Sequence, residues 1–209
     1  GNCTDPAGRR SRRPIIAPRP PGQDTAAPAR PRLHAPTAPV PLQPTRYRIV
    51  PSEILAHRFE VDCTVEDPAP GGQRFVLPTW TPGSYLIREF ARHVVTARAS
   101  AGGRPVAIAK VAKDTWEAAP CDGPLTVTLE VHAFDLSVRA AYLDATRGYF
   151  NGTSVFLCPE GRAAAPCTVE IVAPRDPAAA RWRVATTLPR AGAAPWGFGM
   201  YAARDYDEL

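Results

Sequence analysis

Nothing in this 209-residue chain approaches the ~20 consecutive apolar residues that a membrane-spanning helix requires, so that architecture is set aside. The five cysteines, Cys3, Cys63, Cys121, Cys158 and Cys167, are odd in number and never spaced C-x-x-C, which excludes a zinc ribbon and a thioredoxin-type redox pair. Reduced, packed thiols are expected, with a Cys158–Cys167 pairing left open for an oxidising compartment. The four histidines, His34, His57, His93 and His132, contain no HExxH pair, so each reads as a surface or hydrogen-bonded side chain rather than a ligand. No GxSxG elbow is present, which leaves Ser84, in Pro82-Gly83-Ser84-Tyr85, as a turn residue rather than a nucleophile. Gly71-Gly72 and Gly102-Gly103 open no helix, and a phosphate-cradling loop is excluded with them. Helical periodicity is missing beyond about two turns in any window, and no repeat recurs at a fixed period.

Proline is abundant, and its distribution divides the chain. Residues 1–46 hold eleven of the 25 prolines and eight arginines against Asp5 and Asp24, a net charge of +6. The whole chain carries +5, so the remainder sums to −1 and the basic character belongs to this leader alone. With no aliphatic pattern to bury, residues 1–46 are expected to be a disordered, polyproline-biased leader. A basic arm for nucleic acid or membrane, or an SH3-type ligand around Pro18 to Pro21, are the alternatives; neither nucleic acid nor a membrane is the expected partner. The Arg9-Arg10-Ser11-Arg12-Arg13 cluster lacks the apolar segment of a secretion signal.

Residues 47–209 are patterned as strands. His57, Phe59, Val61, Cys63 and Val65 alternate with charged and polar neighbours, as do Leu125, Val127, Leu129, Val131 and Ala133. Gln73 to Leu77 is a further strand, and His93 to Ser100 with Pro105 to Val111 flank a Gly102-Gly103 hairpin. Short extended pieces are expected at Ser137 to Leu143, Thr153 to Cys158, Thr168 to Val172, Arg181 to Thr187 and Phe198 to Ala202. About ten short strands without helical crossovers predict an all-β, antiparallel β-sandwich-like domain.

The densest chemistry lies in Leu77 to His93, LPTWTPGSYLIREFARH. Pro82-Gly83 reads as a turn, with Gly83 free for positive φ, and residues 86–93 fit a single helical turn because Leu86, Phe90 and Val94 are spaced four apart. Arg88 and Arg92 offer forked donors and Glu89 an acceptor, so a partly buried ion pair at Arg88 or Glu89 is expected, with Trp80 in the core. Asn151-Gly152-Thr153 matches a glycosylation sequon but reads first as a tight turn between strands.

This motif, followed by KDTW at Lys113 to Trp116, FDLSVRAAYLD at Phe134 to Asp144 and RGYFNGTSVFL at Arg147 to Leu157, resembles the N-terminal domain of the glycyl aminopeptidases, metallopeptidase family sixty-one. The resemblance covers Tyr47 to Leu209. It implies structural motif positions at Trp80, Pro82, Gly83, Arg88, Arg92, Trp116 and Arg139. It also implies that the chain stops before a catalytic domain carrying HExxH and zinc, so that no catalytic residue, metal site or cofactor is expected in this chain and it is expected to be inactive alone. The implied partners are that catalytic domain and, in the full-length enzyme, a peptide losing a small N-terminal residue such as Gly or Ala. By analogy with multidomain aminopeptidases, Tyr85, Glu89, Asn151 and Thr153 are candidates to rim the active cleft. The alternative is an autonomous β-sandwich binding module for protein or carbohydrate.

Overall fold

Alternating side chains force every second residue of an extended segment out of water, and that rule builds most of this molecule. The computed structural model describes residues 42–81 and 83–209; most of the expected leader, and Pro82, lie outside the described residues. The strands are β1 (Thr45–Glu53), β2 (Arg58–Val65), β3 (Gln73–Val76), β4 (Val94–Ala101), β5 (Arg104–Val106), β6 (Ile108–Lys110) and β7 (Thr115–Ala118). They continue as β8 (Leu125–His132), β9 (Ala141–Leu143), β10 (Gly148–Phe150), β11 (Cys158–Pro159), β12 (Cys167–Ile171) and β13 (Gly199–Ala203). Short 3-10 turns cover Phe90–His93, Gly152–Ser154 and Pro177–Ala179.

Seven strands form one sheet in the order β13-β12-β1-β2-β8-β4-β5, four form a second in the order β11-β3-β7-β6, and β9 with β10 make a separate hairpin. Phe59, Val61, Leu125 and Leu129 from the large sheet share one buried core with Phe75, Trp116 and Ala118 from the small one, as a sandwich requires. The register carries this across strands. Val61 lies opposite Ile49 on β1 and Leu129 on β8, so one row of apolar side chains faces inward. The neighbouring row, Glu170, Arg48, Asp62, Thr128 and Arg98, faces outward across five strands. There Thr128 Oγ1 donates to Asp62 Oδ1 at 2.6 Å, and Arg48 stands 3.4 Å from Asp62 and 3.7 Å from Glu170.

The all-β fold is as expected, with instructive departures. β1 and β12 pair in parallel, Thr45 opposite Cys167 through Ile49 opposite Ile171. No crossover helix is needed, because most of the domain lies between the two strands in sequence. β1 begins at Thr45, so Arg46, which its charge places with the leader, is a strand residue paired with Glu66. The Gly102-Gly103 hairpin forms between β4 and β5, and the chain then leaves for the other sheet at Ala107, whose carbonyl accepts from Ala119 N–H. Of the short pieces expected to be extended, residues 181–187 form no strand, and 153–158 begins in a 3-10 turn.

Trp80 is not in the core; it is 52% exposed and its indole N–H donates to Ser84 O at 2.6 Å. Alternation cannot place it, because the strand ends at Val76 and the chain bends before Trp80. Asn151-Gly152 does not join two strands either: the β9–β10 turn falls at Asp144–Arg147, closed by Asp144 N–H to Arg147 O. Asn151 instead caps the Gly152–Ser154 turn. Cys63, Cys121, Cys158 and Cys167 are free thiols, and burial pushes Cys158 up to about 11 and Cys167 up to about 12.

The inward and outward rows make a contrasting prediction. Leu129→Ala removes a fully buried side chain at the centre of the large sheet and is expected to cost about 2–5 kcal/mol in urea unfolding. Arg48→Ala, on the solvent face, is expected to cost less than about 1 kcal/mol.

Candidate functional site

Leu77 and Phe90 are buried anchors at either end of the segment 78–89, at 0% and 3% exposure. Leu77 N–H donates to Asp114 O at 2.8 Å, tying the start of the segment to the β6–β7 connection. Between the anchors the chain cannot pair as a strand, and its polar groups are satisfied around Ser84. Ser84 N–H donates to Thr81 O at 3.1 Å, and Gly83 takes the left-handed φ of 78° that a side chain disfavours. Ser84 is itself buried; its hydroxyl donates to Leu86 O at 3.2 Å and accepts from Arg88 Nε at 3.2 Å. Arg88 N–H closes the loop onto Thr79 O, and Arg92 N–H donates to Glu89 O as the Phe90–His93 turn begins.

The consequence is an inverted loop, with polar groups inside and apolar side chains outside. Tyr85, Leu86 and Ile87 are all exposed. Glu89 is ion-paired, but with Lys113 at 3.1 Å and in an exposed position, rather than with Arg88 or Arg92. Arg88 is half-buried and bonds a hydroxyl, and Arg92 Nε donates to His93 Nε2 at 3.1 Å. Burial, reinforced by the Arg92 charge, lowers the His93 pKa.

A second loop meets the first. Arg139 donates to Gly83 O at 3.3 Å, and Asp135 joins Leu86, Ile87 and His93 around a groove of ≈ 430 Å³. This loop is also held by its own polar groups: Asp135 accepts from Ser137 N–H, and Tyr149 OH lies 2.9 Å from the carbonyls of both Asp135 and Ser137. Phe134 stacks on Tyr142 at 5.2 Å, and Tyr142 on Tyr149 at 6.2 Å, with the Arg147 guanidinium 5.6 Å from the Tyr142 ring. Thr146 and Tyr142 hydrogen bonds to Asp144 hold that carboxyl far below its ordinary range and brace the hairpin beneath the stack.

The expected site residues separate into three places. Trp80, Gly83, Tyr85, Arg88, Glu89, Arg92 and Arg139 come together at the two loops. Trp116 is buried on β7, where the Lys110 ammonium lies 4.8 Å from its ring. Asn151 and Thr153 turn toward each other: Asn151 Oδ1 accepts from Thr153 N–H at 3.1 Å and from Thr153 Oγ1 at 2.5 Å. Phe134, Leu136 and Val138, exposed on the loop whose Asp135 and Arg139 reach the first one, are further members that a simple alternation reading would have buried. Their signal was an apolar residue at every second position of a segment too short and too broken to be a buried strand.

Among the described residues no three His, Cys, Asp or Glu side chains converge as a metal site requires. His57 and His132 have ring centroids 6.1 Å apart, but His57 Nδ1 is engaged by Leu143 O at 2.5 Å.

Comparison with known proteins places this arrangement. A solved structure, an aminopeptidase N family protein from Idiomarina loihiensis, is 40% identical with a TM-score of 0.76, over 79% of this chain and 28% of its own. An M1 zinc metallopeptidase from Deinococcus radiodurans is 12% identical with a TM-score of 0.37, over 78% of this chain and 38% of its own, a likeness too slight to argue from. No curated protein matches the chain. The chain thus spans less than a third of the length of the Idiomarina loihiensis protein. The family profile for the peptidase M61 N-terminal domain matches residues 46–209, and the chain belongs to that family.

Proposed function

We propose that this chain is the non-catalytic β domain of a zinc-dependent aminopeptidase that removes small N-terminal residues such as Gly or Ala from peptides. The observation that carries the reading is the family match over residues 46–209. Among the described residues no donor set fits the metal of that reading, and in it zinc would be held by the catalytic part of the longer peptidase.

Within that reading Tyr85 and Glu89 stand at the rim of the catalytic cleft, where the carboxylate receives the substrate's ammonium group. Support comes from the exposure of both residues and from the nature of Glu89's present partner. An ion pair with the largely solvated Lys113 is worth little, so a ligand cation can replace it. Asn151 and Thr153 hold the Gly152–Ser154 turn that packs beside the Phe90–His93 turn, and act on the rim only by positioning it.

Two outcomes are expected. The chain supplied with zinc hydrolyses no glycyl anilide; turnover abolished by a chelator and restored by metal would overturn the non-catalytic assignment. In the longer peptidase, Glu89→Gln raises the peptide KM about two- to fivefold with little change in kcat, the loss of roughly one exposed charge contact. Unchanged KM for both Glu89→Gln and Tyr85→Ala would remove these residues from the rim.

A further inference from the structure

We propose that the face formed by loops 83–89 and 134–139 is the docking surface for the catalytic part of the same peptidase, an inference that rests on the reading above. Six of the twelve large apolar side chains left exposed among the described residues stand on these two loops: Tyr85, Leu86, Ile87, Phe134, Leu136 and Val138. A lone domain rarely exposes so concentrated an apolar group. These side chains are also not free to turn inward, because both loops spend their backbone groups on internal bonds, through Ser84 in one and through Asp135 and Tyr149 in the other. The Arg139 bond to Gly83 O then joins them into one surface.

The occupant is set by position and by charge. Leu209 lies against the Gly152–Ser154 turn, so closely that a Cβ on Gly152 would stand 2.7 Å from the Leu209 carbonyl oxygen. That turn packs on Phe90–His93, the turn that ends the first loop. Polypeptide continuing past Leu209, as in the longer Idiomarina loihiensis protein, therefore sets out beside this face. The charged residues that line this groove or bond to its loops are Arg88, Arg92, Arg139 and Lys113, with Glu89 and Asp135. A second copy would bring the same cationic rim against itself, so the surface suits an apolar partner edged with carboxylates.

The experiment replaces the matching domain of the Idiomarina loihiensis protein with residues 46–209 and compares this chimera with the isolated chain by hydroxyl-radical footprinting. Labelling of Leu86, Ile87, Leu136 and Val138 is expected to fall about fivefold or more in the chimera, as for residues at the dry centre of an interface. Leu42 and Trp196, exposed elsewhere, are expected to label equally in both. Equal labelling of the two loops in an assembled chimera overturns the proposal. It is also overturned if the isolated chain is already protected there, either because it self-associates in sedimentation or because protection vanishes when residues 1–41 are removed. Glycyl-anilide turnover separates the two readings: an active chimera with labelled loops defeats the docking face alone, whereas protected loops in a chimera and a natural Idiomarina loihiensis protein that both leave glycyl anilide intact support the face and count against the aminopeptidase reading. If the chimera does not assemble, the natural Idiomarina loihiensis protein is footprinted at the matching positions, where protection supports the proposal and labelling overturns it.

Discussion

The pairing of β2 with β8 is the constraint on which the rest of the structure depends. Eight residues match eight without a slip, from Arg58 opposite His132 to Val65 opposite Leu125. Because the side-chain period is two, a shift by a single position would turn Phe59, Val61, Cys63 and Val65 to solvent together and bring charges inward. The register is therefore held by the burial of a whole row on one face. The opposite face uses the same register to set Asp62 beside Thr128 and Arg48. β1 and β4 add to either side of this pair, and β12 joins β1 in parallel, so the large sheet grows outward from its most regular seam.

The small sheet and the two loops depend on that seam in turn. β3 and β7 place Phe75 and Trp116 against the core, and the chain then leaves β3 without a strand partner. The segment 78–89 is stabilised by a buried serine whose hydroxyl both donates and accepts. That is an economical answer to the rule that buried polar groups must be bonded. Since the polar groups close on themselves, the apolar side chains are left outside, and a segment that begins as structural filler becomes a surface. The Asp135–Arg139 loop repeats this logic with a tyrosine hydroxyl reaching across from β10. The Idiomarina loihiensis protein carries more than twice as much polypeptide outside the matched part as within it.

Much of the fold was legible from residue pattern, and the misreadings share one cause. Alternation along Arg58–Val65 and Leu125–His132, and the paired glycines at 102 and 103, report interactions between near neighbours, which a sequence displays directly. Trp80 was misplaced because its burial depends on where the chain bends after Val76. Asn151-Gly152 was misread because a local preference for tight turns is shared by a strand connection and by the cap of a 3-10 turn, and only the surrounding strands choose between them. Glu89 is the acceptor its residue type suggests, but its partner, Lys113, comes from a connection 24 residues away.

By itself, the sequence determined the class of the domain, the strands with regular alternation, the absence of an HExxH pair and, through the run LPTWTPGSYLIREFARH, the family. Those properties are written in nearest-neighbour chemistry and in composition. Only the tertiary structure decided that β1 and β12 run parallel, that Tyr85, Leu86 and Ile87 point away from the core, and that a loop some 50 residues further along the chain completes the same face. These depend on contacts between distant segments, whose geometry is set by the packing of the whole sandwich rather than by the preferences of any one stretch.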